Sequence, residues 1–74
     1  MDKKELLKTF GLNLKIERHK QKISQEQIAN LTGFSLAYIS NVENAKHKIS
    51  LINAYILSKT VNKTLDEMLN ISEK

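Results

Sequence analysis

The sequence has no cysteine, no proline and only two glycines among its 74 residues. Without cysteine there is no disulfide framework, no thiolate nucleophile and no thiolate metal site. The two histidines, His19 and His47, stand far apart with no ligand spacing between them, so no zinc site is expected. No apolar run approaches the roughly 18 residues of a membrane helix. The first ten residues, MDKKELLKTF, mix charges into their apolar positions, which is unlike a secretory signal. Three N-x-[ST] triplets, at Asn30, Asn62 and Asn70, carry no weight without an export route. These absences predict a soluble domain in the cytoplasm, with no bound cofactor, no metal and no evident small-molecule ligand. A single domain of this length hides only about 60% of the surface its unfolded chain exposes. Oligomerisation is therefore the expected additional source of stability.

The chain carries a formal net charge of +4. That sign suits a polyanionic partner but is weak on its own. Its distribution says more. Residues 1–48 hold nine basic and five acidic side chains, and residues 49–74 hold three of each. The whole excess lies in the first two thirds. Residues 27–42 contain no charge at all, with Lys15, Arg18, Lys20 and Lys22 before them and Lys46 and Lys48 after. Taken singly most of these lysines read as solvated surface; the bracketing of a neutral stretch is what favours a functional reading.

Zero proline and many good helix formers predict an all-α fold. The first helix is expected over about 3–21, with Leu6, Leu7, Phe10, Leu14 and the stem of Glu17 on one face. Leu12 and Ile16 form a second pair near the opposite face. Ser24 and Gln27 have capping-box spacing, opening a helix over about 25–31 with Ile28, Ala29 and Leu31 inward. Gly33 can take the positive φ that ends it. Ser35 caps a third helix, about 36–44, with Ile39 and Val42 inward. Ser50 caps a fourth, about 51–61, with an inward stripe of Leu51, Ala54, Leu57 and Val61. Thr64 and Glu67 form another capping box before a short fifth helix, about 65–70, with Leu65, Met68 and Leu69. The tail from Ile71 is expected to fray.

The helices at 25–31 and 36–44, joined by about four residues, must cross at a large angle. Ala29 must then be small where the second helix passes over it, and Ile28, Phe34, Ile39 and Val42 face the seam. Thr32 is less apolar than the seam would prefer. No carboxylate pair in a plausible pocket, glycine-rich phosphate loop or Ser–His–acid arrangement accompanies this unit, so no enzymatic activity is expected.

SQEQIANLTGFSLAYISNVENAKHKIS, with FGLNLKIERHK before it and LINAYILSKTVNKTLDEML after it, resembles the Xre/Cro-like phage-repressor family of helix-turn-helix proteins. The likeness covers about residues 10–69. It extends to small stand-alone members such as restriction–modification controller proteins, partly through AYIS followed by KISLIN. The resemblance implies a compact five-helix domain whose helix 36–44 enters the major groove of double-stranded DNA. Gln25 would bind a phosphate. Ser35, the cap of the recognition helix, would also belong to the DNA-binding residues, and Leu36, Ala37 and Asn41 occupy the family's main base-facing positions. Tyr38, Ser40, Asn44, Lys46 and Lys48 would lie beside the DNA backbone. The resemblance also brings Arg18 and Glu43 together as a buried ion pair. Three departures stand out. Ala45 replaces a frequent glycine, which puts the exit from the recognition helix in question. Ser50 replaces a frequent proline, and the base-facing side lacks Arg and Gln.

A transcriptional regulator binding as a homodimer to a pseudo-palindromic operator is the reading these residues favour. Ile52, Tyr55 and Ile56 lie off the inward stripe of the fourth helix and are the expected dimer surface, with Leu12 and Ile16 as a competing patch. A protein-interaction module of the same fold, an antitoxin or adaptor, is the alternative.

Overall fold

A computed structural model describes residues 2–70, and the expected fraying from Ile71 lies outside the described residues. Five helices follow one another: α1 (Lys3–Lys20), α2 (Gln25–Thr32), α3 (Leu36–Glu43), α4 (Leu51–Thr60) and α5 (Leu65–Leu69). Among the described residues there is no strand. Each helix begins where a short polar side chain can accept from an otherwise orphaned backbone N–H. Asp2, Ser24, Ser35, Ser50 and Thr64 perform this role in chain order. Ser24 with Gln27 and Thr64 with Glu67 form complete capping boxes.

The helix ends use one device repeatedly. At the end of α1, the Ile23 N–H donates to the Arg18 carbonyl and the Lys22 N–H to that of His19. The same double closure follows α3 and α4, centred on Ala45 and Asn62. All three pivots are left-handed, with φ of 59° at Lys22, 56° at Ala45 and 61° at Asn62. This is the Schellman arrangement, built without glycine. Only α2 ends on one, Gly33, with φ 83°. At Ala45, where a glycine is frequent in the family the chain resembles, alanine adopts the left-handed turn itself.

Phe10 and Leu14 of α1 meet Ile28, Ile39, Val42, Ala54, Leu57, Val61 and Met68 in one core. Helix α1 packs on α3 and α5, while α2 bridges α3 and α4. Two expected inward residues are corrected. Leu51 is 72% exposed and Leu31 is 70% exposed. Helical side chains lean toward the N-terminus, so Leu51 in the first turn of α4 projects beyond the end of the core. Leu31 lies on the right side of α2, but none of the described elements covers it; it borders a shallow groove with Tyr55 and Ile56.

Two close approaches fix α1 in place. A Cβ on Gly11 would collide with the Val42 carbonyl oxygen and come within 2.8 Å of that of Glu43. The absence of a side chain there lets α1 cross directly over the end of α3. At its other contacts, Asn13 donates through Nδ2 to the Met68 and Asn70 carbonyls, at 2.7 and 2.9 Å, and Gln21 donates to the Val61 carbonyl at 2.7 Å. These side chains satisfy carbonyls that the ends of α4 and α5 leave open.

Candidate nucleic-acid interface

The turn between α2 and α3 is closed by a residue that looked out of place in the apolar seam. The Thr32 hydroxyl donates to the Ile28 carbonyl at 2.8 Å and accepts from the Phe34 N–H at 3.2 Å. Its polarity substitutes for backbone partners that the turn lacks. Ser35 then starts α3, its Oγ accepting from the Tyr38 N–H at 3.0 Å.

With Ile39 and Val42 buried, α3 turns its other side outward. Leu36 (45% exposed), Ala37 and Asn44 are exposed, and Ser40 and Asn41 are half-buried. They fall at spacings of one, three and four and so share one surface. That surface is uncharged. The Asn44 side chain folds back, its Nδ2 donating to the Ser40 carbonyl at 3.0 Å. Beyond it Lys46, His47 and Lys48 are exposed on the loop to α4. Among the described residues neither of these lysines is ion-paired.

Tyr38 sits on the flank of α3, half-buried, its ring edge-on to Phe34 with centroids 5.0 Å apart. Its hydroxyl accepts from Asn53 Nδ2 at 3.1 Å, which leaves the phenolic O–H available as a donor. Nothing in the spacing of the sequence marked Asn53 for this; the contact spans two helices whose relative placement no local pattern specifies.

Behind α3 lies a charged network. Arg18 Nε donates to Glu43 Oε2 at 2.7 Å, and Nη2 donates to Oε1 at 3.2 Å. This is the bidentate geometry that a guanidinium offers and an ammonium does not. Arg18 Nη1 also donates to the Ile23 carbonyl at 3.0 Å. The Glu43 side chain is only 2% exposed. Gln25, at the first position of α2, donates through Nε2 to Glu43 Oε1 at 3.0 Å. The family resemblance assigns Gln25 to a phosphate; its attachment to the ion pair is not legible from its position alone. Ile52 and Tyr55 are 71% and 55% exposed on α4, and Ile56 beside them is half-buried. Leu12 and Ile16 are also exposed, on α1.

Residues 14–68 match the helix-turn-helix family. The chain is 33% identical over 69 residues to the control protein C.SmaI of Serratia marcescens, covering 93% of this chain and 79% of that protein. It is 35% identical over 66 residues to the control protein C.MunI of a Mycoplasma species, covering 88% and 89%. The crystal structure of the restriction-modification controller protein C.AhdI from Aeromonas hydrophila superposes with a TM-score of 0.78 at 31% identity, over 84% of this chain and 94% of that one. The neutral face of α3, the tight turn before it and these likenesses agree: the chain belongs to the helix-turn-helix family of DNA-binding transcription regulators.

Proposed function

We propose that this regulator acts in the cytoplasm as a homodimeric controller of restriction–modification genes, with α3 in the major groove of a pseudo-palindromic operator. One observation carries the reading of the site. The outward face of α3 is uncharged, the Gln25 amide meets the last residue of that helix, and the exposed Lys46 and Lys48 follow in the next loop, neither ion-paired among the described residues. Phosphate contacts position such a domain and base contacts specify its sequence. Gln25, Ser35 through the start of α3, Tyr38, Ser40, Asn44, Lys46 and Lys48 are assigned to the backbone side. Leu36, Ala37 and Asn41 are assigned to base edges. The controller role rests on the likeness to the named control proteins.

The chemistry of this face favours A·T. Leu36 and Ala37 offer apolar contact suited to thymine methyls, and Asn41 can pair bidentately with adenine. The one arginine of the chain is held by Glu43, so the commonest guanine-reading side chain is absent from the groove. Part of the specificity then falls to DNA shape.

Selection from random duplexes, followed by mobility shift over a salt series, tests this reading. Enrichment of paired A·T-rich half-sites with steeply salt-dependent affinity is the expected outcome. Half-sites dominated by G·C at the helix-facing positions would overturn the base assignments. No shift at micromolar protein would overturn DNA binding itself and leave the protein-interaction module.

A further inference from the structure

We infer that Glu43 is a positioning residue for DNA binding: its carboxylate orients the Gln25 amide so that one N–H remains directed to a DNA phosphate. The inference rests on the proposed assignment of Gln25 to the phosphate side. Three observations lead to it. Glu43 Oε1 accepts from Gln25 Nε2 at 3.0 Å and from Arg18 Nη2 at 3.2 Å, and its other oxygen accepts from Arg18 Nε at 2.7 Å. The carboxylate is therefore anchored on one side before Gln25 meets it. An ionised carboxylate only accepts. The opposite amide orientation would set the Gln25 oxygen against a negative oxygen, so the network selects the rotamer as well as the position. Finally, Gln25 is half-buried at the first position of α2, where a glutamine of free rotation would have to be ordered on binding. An amide already held in place avoids that entropic cost.

The ion pair thus serves the DNA-facing surface as well as the core. Leu36 stands at the start of α3 and has no polar group to hold the glutamine, so Glu43 is the partner within hydrogen-bond reach.

A double-mutant cycle tests the assignment. One arm is Gln25→Ala. The other replaces the pair together, Arg18→Met with Glu43→Leu, because an apolar replacement of both partners avoids stranding a buried charge. Each protein is titrated on the selected operator duplex. Gln25→Ala is expected to weaken binding about 5- to 10-fold with the salt slope unchanged, since the group is neutral. The paired replacement should weaken binding similarly when Gln25 is present and have no further effect on Gln25→Ala. Equal losses in both backgrounds would mean a purely structural pair and would overturn the inference. So would full affinity for Gln25→Ala on a duplex that Lys46→Ala still binds more weakly, an outcome that leaves the proposed function intact. Loss of DNA binding by the unaltered protein would instead sink that function. If the paired replacement does not fold, side-chain amide relaxation of Gln25 in the unaltered protein decides. A rigid amide before DNA is added supports the positioning role, and a freely rotating one overturns it.

Discussion

Glu43 illustrates how much one buried charge can determine. Its carboxylate is held by both sides of the Arg18 fork and by Gln25. Removing the charge while keeping the shape strands the guanidinium in a poorly solvated site. Glu43→Gln is expected to cost about 3–5 kcal/mol, which in a domain of this size lowers the melting temperature by more than about 10 °C. A melt within about a degree of the unaltered protein would contradict it. Gly11 acts by having no side chain. Gly11→Ala would drive a methyl into the Val42 and Glu43 carbonyls, and backbone cannot rotate away as a side chain can. A loss of at least about 1–3 kcal/mol in chemical denaturation is expected. On the outward face the effects divide by chemistry. Asn41→Ala should cost about 1–3 kcal/mol at a single operator position and relax preference there. Lys46→Ala should weaken all sequences alike and make the salt slope shallower by about one unit per subunit. Competition titrations on operator variants at several salt concentrations separate the two. The residues that could be read in advance were those with a local signature. Ser24, Ser35, Ser50 and Thr64 each precede a helix by one position, and capping is a short-range property. Gly11, Asn13, Gln21 and Asn53 act across helices, and their partners are unknown until the tertiary fold is.

At the scale of the element, periodicity identified all five helices to within about one residue, but it could not say which apolar side chains the rest of the chain would cover. Leu31 and Leu51 obey the spacing and remain exposed, one for want of a covering element and one because it overhangs a helix start. The ends of the elements also carry their own chemistry. Helix α5 has five residues, too few to persist without its cap and its packing. Glu67 Oε1 accepts from the Thr64 N–H at 2.9 Å. That bond, foremost, lowers its carboxyl from the ordinary glutamate value; desolvation opposes it, and the charge of Lys63 and the hydroxyl of Thr64 add to the lowering. A depressed folded value means that the stabilisation is present above the unfolded value and is lost as pH falls through the folded one. The attachment of α5 should therefore weaken as pH drops below the ordinary glutamate range. Amide exchange at Met68 and Leu69 should accelerate there, and Glu67→Gln should remove this part of the pH dependence. Unchanged exchange across that range would show that the charge of Glu67 contributes nothing to holding α5.

For the whole molecule, the decisive quantity is the area that the described chain leaves uncovered. Ile52 and Tyr55 on α4 are mostly exposed, and Leu31 on α2 borders the same region through a groove shared with Tyr55 and Ile56. A monomer gains nothing from such a patch, and contiguous exposed apolar surface commonly marks an interface. The charge balance points the same way, because residues 49–74 are neutral and two copies can approach there without repulsion. The excess charge lies in the other two thirds, with the basic loop after α3. A two-fold pairing through α4 would join the neutral parts and present two recognition helices about 34 Å apart, one turn of DNA. Binding would then be bivalent, with the second half-site reached at an effective concentration set by the dimer itself. Ile52→Asp combined with Ile56→Asp should abolish the dimer by placing four like charges across the axis. Because Ile52 is exposed and Ile56 lies on the helix flank, the monomer should keep its fold. Sedimentation at micromolar concentration should then report a monomer, and affinity for a full palindromic operator should fall to near that for one half-site. A variant that still sediments as a dimer would move the interface to another surface, Leu12 and Ile16 on α1 being the next exposed apolar pair. An unaltered protein that remained a monomer even on its operator would remove the need for a palindrome altogether.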